Sequence, residues 1–292
     1  MSSSGEKLRK LVVESKPLQI VGTVNAYSAI MAEKVGHQSI YLSGGGVAAS
    51  SLGVPDLGIT TLEDVLEDAK RITQATSLPL LVDADTGWGD ALSIARCVRE
   101  MTNSGVAAIH IEDQVSQKRC GHRPNKAIVS TNEMIERIKA AVDAKTDSNF
   151  VIMARTDALA IEGMQSAIDK AAAFAEAGAD MIFPEALNTI EQYQEFSDSI
   201  NVPILANITE FGQTPLFSKE ELSEAGVDMI LYPLSAFRAM SKAALNVYQH
   251  ILDDGHQKNV VESMQTREEL YDFLNYHQYE EQLDELISKE NK

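Results

Sequence analysis

Cysteine, tryptophan, positive charge and long apolar runs are all scarce in this chain, and each scarcity removes a class of reading. Of the 292 residues only Cys97 and Cys120 are cysteine. Two thiols give no disulfide framework, which fits a reducing cytoplasm. No apolar run approaches the roughly 18 residues that a membrane-crossing helix needs. Met1-Ser2-Ser3-Ser4-Gly5-Glu6 has no apolar stretch of the export-signal kind, so a soluble, cytoplasmic protein is expected. Lysine and arginine number 25 against 43 aspartate and glutamate, a formal net charge of -18. Nucleic acid and anionic membranes are therefore poor partners. Linkers and low-complexity stretches are missing too, and 44% apolar residues suffice for a substantial core. We expect one domain over 1–292, with 258–292 as a helical C-terminal extension.

What is present is a repeat. Short apolar runs of strand length, each followed by a longer stretch with helical spacing, occur at Gln19–Val24, Ser39–Leu42, Leu78–Val82 and Ala107–Ile111. Further runs occur at Phe150–Ala154, Met181–Phe183, Val202–Leu205 and Asp228–Leu231. Gly36, Gly105, Gly178 and Gly226 stand where helices should stop. Thr60-x-x-Glu63, Ser130-x-x-Glu133 and Ser218-x-x-Glu221 have the spacing of helix-opening capping boxes. Near-continuous apolar strands alternating with helices imply a parallel sheet covered by helices. Eight such units predict an α/β fold of the (β/α)8 barrel type. An open doubly wound sheet is the lesser alternative, since no strand–helix turn carries Gly-x-Gly-x-x-Gly.

Seven of the eight runs end in polar clusters: Ser43-Gly44-Gly45-Gly46, Asp83-Ala84-Asp85, Glu112-Asp113, Arg155-Thr156-Asp157, Glu185, Asn207-Ile208-Thr209 and Tyr232-Pro233. A cap or turn explains any one of these. Together they point to an active site at the C-terminal mouth of a barrel. Asp83 and Asp85, two apart at a strand end, are expected to project to one face. Like charges that close call for a cation or a shared proton. With Glu112 ending the next strand, the all-oxygen donor set suits Mg2+, and Mn2+ would serve in its place. Zinc is disfavoured: a structural zinc site wants four nitrogen or sulfur ligands. Cys97 reads as a small buried residue on a helix, and the six histidines form no His-x-x-x-His spacing. His110 alternates onto the face of Glu112 and either lines the site or is structural.

The segment Lys118-Arg119-Cys120-Gly121-His122-Arg123-Pro124-Asn125-Lys126 gathers four fixed cations, a histidine and a thiol in nine residues of an acidic protein. Such repulsion is relieved by an anionic ligand. The cations also stabilise a thiolate at Cys120. A solvated basic loop with an incidental thiol is the plainer alternative.

With the barrel layout, these residues resemble the isocitrate lyase/phosphoenolpyruvate mutase superfamily. Further matching segments are Tyr41-Leu42-Ser43-Gly44-Gly45-Gly46-Val47-Ala48-Ala49, Ile152-Met153-Ala154-Arg155-Thr156-Asp157-Ala158, Asn207-Ile208-Thr209-Glu210-Phe211-Gly212 and Tyr232-Pro233-Leu234-Ser235-Ala236-Phe237-Arg238. The likeness runs from about Leu18 into the C-terminal helices. Lys-Arg-Cys-Gly-His belongs to its lyase branch, and Asp-x-Asp to the whole superfamily. The resemblance implies Mg2+-dependent, reversible carbon–carbon cleavage of 2-methylisocitrate to pyruvate and succinate, in the methylcitrate route of propionate breakdown. It implies metal binding by Asp83 and Asp85 with Glu112 nearby, and Asp56 orienting metal-bound water. Cys120, as general acid, heads a catalytic set with Tyr41, His122 and Arg155. Which group takes the hydroxyl proton is left open, with Tyr41 a candidate. Ser43, Gly44, Gly45 and Arg155 would meet the pyruvate moiety. Gly121, Asn207, Ile208, Thr209, Arg238 and Arg267 would hold the remaining carboxylates, and Glu185 a cation or hydroxyl. Phe183 and Leu231 would form the pocket for the extra methyl.

The resemblance also implies a homotetramer whose last barrel helices exchange between subunits. Thr266–Lys292, acidic with Leu270, Phe273, Leu274, Tyr279, Leu283 and Leu286 at helical spacings, reads equally well as a helix packing on its own barrel. The alternative activities are 2,3-dimethylmalate lyase and oxaloacetate hydrolase; a non-catalytic metabolite-binding barrel is the alternative from another class. Residues 118–126 are expected to act as a lid over the mouth.

Overall fold

The apolar runs form strands that are buried along most of their length, and their ladders go all the way round. The computed structural model describes residues 2–119, 121–123 and 125–290. It resolves into two compact units, Met1–Phe237 and Arg238–Lys292. In the first lie β1 (Leu18–Gly22), β2 (Ser39–Leu42), β3 (Leu80–Asp83), β4 (Ala108–Glu112), β5 (Val151–Thr156), β6 (Met181–Pro184), β7 (Leu205–Asn207) and β8 (Met229–Tyr232). All ladders are parallel, in the order β6-β5-β4-β3-β2-β1-β8-β7. The seam is closed by a parallel bridge between Ile182 and Ile204, where the Ile182 N–H donates to Pro203 O at 3.0 Å. The predicted (β/α)8 barrel is what forms.

Helices return the chain between strands, among them Ala26–Val35, Leu62–Ala75, Ala91–Asn103, Thr131–Asp143, Met164–Glu176 and Ile190–Ser199. Gly36 ends the first at φ 105°, a backbone state that favours glycine, and Gly105, Gly178 and Gly226 also lie at positive φ. One predicted cap is displaced by a residue. Thr61, not Thr60, opens Leu62–Ala75, in a reciprocal box with Asp64. Thr60 is buried and its carbonyl accepts the Trp88 indole N–H at 3.1 Å.

Several strands run further toward the mouth than their apolar pattern does. The ladder takes in Asp83, Glu112, Thr156 and Asn207, pairing Asp83 with His110 and Glu112 with Arg155. Backbone pairing is indifferent to side-chain polarity, so the strand ends continue into the functional residues.

Two cores result. Ile40, Leu42, Val82, Ile109, Ile111 and Ile152 pack outward against the helices. Ile20, Tyr41, Leu81, Met153, Phe183 and Leu231 fill the barrel. The helix Ser4–Glu14, which has no counterpart in the expected elements, adds Leu8 and Val12 to the interior cluster. It is seated by Arg9, which pairs with Asp180 at 2.6 Å and donates from Nε to Asn149 O at 2.9 Å. At Gly5 an added Cβ would overlap the Asn149 carbonyl, so the helix lies directly on the chain leading into β5. It stops the N-terminal end of the barrel.

The second unit carries most of the helix Ser235–Asp254, a tight turn at Lys258–Ser263, and helices Arg267–Leu274 and Tyr276–Glu290. Asn275, at φ 52°, breaks the last two apart. Leu245, Tyr248, Leu252, Leu283 and Leu286 are exposed.

Because Leu8 is fully buried, Leu8→Ala is expected to lower the unfolding free energy by about 2–5 kcal/mol in urea titrations. An unchanged midpoint would mean that the helix is not part of the barrel core.

Candidate active site

The acidic pair at the end of β3 is built by a turn rather than by the pleat. Asp83 is the last strand residue, and Asp85 follows at φ 48°, in the left-handed region. The two carboxylates do converge, since a Cβ at Gly44 would lie 3.1 Å from Asp83 Oδ2 and 3.1 Å from Asp85 Oδ1. A turn rather than strand alternation brings them together, and the Asp85 N–H donates to Asp83 Oδ1 at 3.0 Å. Asp83 Oδ2 accepts the Gly44 N–H at 3.1 Å and lies 3.5 Å from the Tyr41 hydroxyl. Burial works against charge on Asp83, but His110, Lys118 and Arg155 outweigh it and hold the carboxyl well below its ordinary range. Asp85 goes the other way, raised by burial and by the charge of Asp83.

Lys118 enters from the loop after β4. Its ammonium bridges Asp56 at 2.9 Å and Asp85 in closer contact. Asp56 lies against Gly45, where an added Cβ would sit 3.0 Å from Asp56 Oδ2. Tyr41 and His110 stack with ring centroids 5.8 Å apart, the hydroxyl 2.9 Å from Nε2. Burial drives His110 down to about 4, so the imidazole is neutral at pH 7. Burial, reinforced by Asp83, raises the Tyr41 phenol well above its ordinary value, so it stays protonated.

Arg155, at the end of β5, joins the remaining walls. Its guanidinium reaches Glu112 at 3.4 Å, Asp157 at 3.0 Å and Glu185 at 3.0 Å, and lies over the Phe183 ring at 5.1 Å. Asp157 is also paired with Lys126, whose Nζ donates to Gly121 O at 2.6 Å. Gly121 abuts Arg155 and Glu185 so tightly that a Cβ there would overlap both. Glu185 further meets His122 Nε2 at 3.3 Å and Asn207 Nδ2 at 3.4 Å.

The structure therefore brings together Tyr41, Asp56, Gly44, Gly45, Asp83, Asp85, Glu112, Gly121, His122, Arg155, Phe183, Glu185 and Asn207. Ser43 stands beside them, its hydroxyl accepting the Gly46 N–H at 3.2 Å. Leu231 belongs to the barrel interior, whereas Ile208 packs in the outer core. Thr209 is buried, its methyl in reach of Gly212. Arg238 and Arg267 lie in the second unit, on Ser235–Asp254 and at the head of Arg267–Leu274. Cys120 and Pro124 lie outside the described residues. Cys97 is buried on Ala91–Asn103, as expected, its thiol pushed up to about 12 by burial. Asp157, Lys126 and Gln114, to which the motifs assign no individual role, also take part in the site. The Gln114 amide holds the Arg119 backbone from both sides, at 2.9 and 3.0 Å.

Would a divalent cation suit these residues? Among the described residues, Asp56, Asp85, Glu112, Asp157 and Glu185 are paired with the fixed cations Lys118, Lys126 and Arg155, and Asp83 stands beside them. Glu112 Oε1 is buried without a hydrogen bond, and burial pushes this carboxyl up to about 8. An ammonium already occupies the gap between Asp56 and Asp85. Among the described residues no three His, Cys, Asp or Glu groups form a metal cage unaided. A hard cation that keeps waters and a substrate oxygen needs only one or two carboxylates. The donor set fits Mg2+.

A closed parallel barrel with an oxygen-rich mouth at the C-terminal ends of its strands defines a class of barrel enzyme. The phosphoenolpyruvate phosphomutase family model matches residues 8–252. The 2-methylisocitrate lyase of Shewanella oneidensis is 62% identical over 288 residues, 99% of either chain. A crystal structure of 2,3-dimethylmalate lyase superposes with a TM-score of 0.89 at 33% identity, over 96% of this chain and 94% of that one. A phosphonopyruvate hydrolase solved with oxalate and Mg2+ gives 0.86 at 27% identity over 100% of both. The chain belongs to the phosphoenolpyruvate mutase/isocitrate lyase superfamily. Within it, the chain is a carbon–carbon lyase.

Replacing Arg155 by methionine would leave Glu112, Asp157 and Glu185 buried without their shared cation. The expected loss is about 3–5 kcal/mol of stability, read by chemical denaturation. A loss under about 1 kcal/mol would show that those carboxylates are neutral in the native protein.

Proposed function

We propose that this lyase cleaves 2-methylisocitrate to pyruvate and succinate with Mg2+, in the cytoplasmic breakdown of propionate by the methylcitrate route. The observation that carries the reading is the charge arrangement of the mouth. A site already rich in carboxylates receives a tricarboxylate only with a divalent cation, and Asp83, Asp85 and the unpaired Glu112 oxygen offer its donors. The high identity to a relative named for this activity supports the substrate.

In this proposal Asp83 and Asp85 hold Mg2+, with Glu112 close by and Asp56 acting through water. When bound, the ion supplies Lewis acidity to a chelated substrate hydroxyl. Arg155 and Lys118 lend positive charge to the substrate carboxylates, joined by donors from Asn207 and His122. Arg238 and Arg267 are proposed to hold the far carboxylates, together with Thr209. The Tyr41 phenol, kept protonated, serves as a hydrogen-bond donor rather than as the base. The Gly44 N–H is already given to Asp83, which leaves Ser43 and Gly45 the freer contacts for the pyruvate end. The substrate 2-hydroxyl gives up its proton to water, and its oxygen becomes the pyruvate carbonyl as the bond between the two product carbons breaks. The electrons of that bond stay on the succinate carbon, the Cys120 thiol delivers a proton there, and the thiolate left behind regains its proton from water. Lys118, Arg119 and Arg123 favour thiolate. Neutralisation of these cations by the bound tricarboxylate is what keeps Cys120 a thiol.

Phe183 and Leu231, both buried in the barrel interior, are proposed to receive the methyl group. One methyl discriminates by only about 1–3 kcal/mol. The exposed apolar residues of the second unit fit the proposed homotetramer with exchanged helices.

The test is incubation with Mg2+ and, separately, 2-methylisocitrate, isocitrate, 2,3-dimethylmalate and oxaloacetate. Pyruvate and succinate are expected from the first, and none once EDTA has removed the metal. No pyruvate from 2-methylisocitrate would overturn the assignment, and oxalate from oxaloacetate would replace it. Cys120→Ser should lower kcat by about 10²–10⁴ while substrate still binds. Near-normal turnover would remove Cys120 from the mechanism.

A further inference from the structure

The loop after β7 reaches across the mouth and grips His122. The Gln213 backbone N–H donates to His122 Nδ1 at 3.0 Å, and the Gln213 side-chain Nε2 donates to the His122 carbonyl at 3.0 Å. One residue thus satisfies both the ring and the backbone of its partner, 91 positions away. Because Nδ1 accepts, the neutral imidazole carries its hydrogen on Nε2, the nitrogen that faces Glu185 Oε1 at 3.3 Å. The approach depends on Gly212, where an added Cβ would lie 3.0 Å from His122 Nδ1. It also depends on Phe211, a non-glycine residue at φ 62° whose side chain is 93% exposed. A left-handed backbone at a bulky residue is costly and persists where the surroundings require it.

The geometry points to Gln213 as a positioning residue. It latches His122 from the far side of the barrel and fixes which ring nitrogen is presented to Glu185 and Asn207. It touches no reacting atom. Its work is to hold His122, and with it the backbone beside Gly121, in place over the bound substrate. Gln114 on Arg119 and Lys126 on Gly121 support this loop from its own stem, while Lys118 ties its start to Asp56 and Asp85. That stem is paired through Val115 N to Ala127 O at 3.0 Å and Val129 N to Asp113 O at 2.8 Å. Gln213 ties the loop to a different wall.

The inference rests on the proposed activity only for its kinetic arm. Gln213→Ala and the isosteric Gln213→Glu, which cannot donate to a carbonyl, are compared with the unaltered protein. Loss of one hydrogen bond corresponds to a change of roughly three- to tenfold. In both variants tryptic cleavage after Arg119 in the folded protein should speed up by that factor. KM for 2-methylisocitrate should rise by the same factor, with kcat moved less. Gln213→Asn, which keeps a donor, should recover part of both. A Gln213→Glu protein matching the unaltered one in cleavage would overturn the latch, because a residue serving by packing alone tolerates that exchange. Faster cleavage with an unchanged KM would overturn its role in binding. If the unaltered protein leaves 2-methylisocitrate intact, the substrate assignment falls, while the cleavage comparison still decides the latch.

Discussion

The buried guanidinium of Arg155 is the interaction on which the mouth depends. It stands at the end of β5 and answers a carboxylate on each neighbouring strand end, Glu112 on β4 and Glu185 after β6, besides Asp157 on its own segment. Unpaired, each of those carboxylates would meet a desolvation cost of several kcal/mol. Paired with one planar cation, they become a wall. The Phe183 ring below sets the height of the guanidinium, so packing in the barrel fixes the position of charge at its rim.

The interior cluster is therefore both core and floor. Tyr41 and Phe183 each flank His110, one stacked and one edge-on, and their other faces belong to the barrel. Close-packed interiors transmit small volume changes. Substitutions deep in the barrel should be felt at the mouth as displaced charge rather than as lost contact. At the end of β3 charge is held differently: Lys118 arrives from a loop and is fixed by its ion pairs with Asp56 and Asp85.

Much of this was legible in the sequence, for reasons tied to particular residues. The barrel followed from apolar periodicity and from Gly36, Gly105, Gly178 and Gly226, all local signals. Motif residues marked the mouth because polar side chains ended seven of the eight apolar runs. The errors share a cause. Asp85 was assigned to the pleat although its backbone is left-handed, and a φ value is invisible in an Asp-x-Asp string. The cap at Thr61 was missed by one residue because Thr60 is claimed by Trp88, a contact 28 positions away. Lys126, Gln114 and Gln213 escaped notice because each acts on backbone groups, and the partners of such bonds leave no pattern in the sequence. The helix Ser4–Glu14 carried a signal, Leu8, Leu11 and Val12 at helical spacing, that was passed over because it precedes the first strand.

That helix has a consequence for how the chain reaches its fold. It is made early, yet its seat is built from Asn149, Phe150 and Asp180, up to 171 residues further along. At roughly 5–20 residues per second of synthesis, Leu8 and Val12 wait on the order of ten to thirty seconds for a surface to cover them. Contacts of such long range are late and slow to form. The helix therefore takes its seat only after β5 and the turn into β6 have been made. A ribosome-bound chain short of β6 would carry five strands of an unclosed sheet and an amphipathic helix whose Leu8 and Val12 are still uncovered.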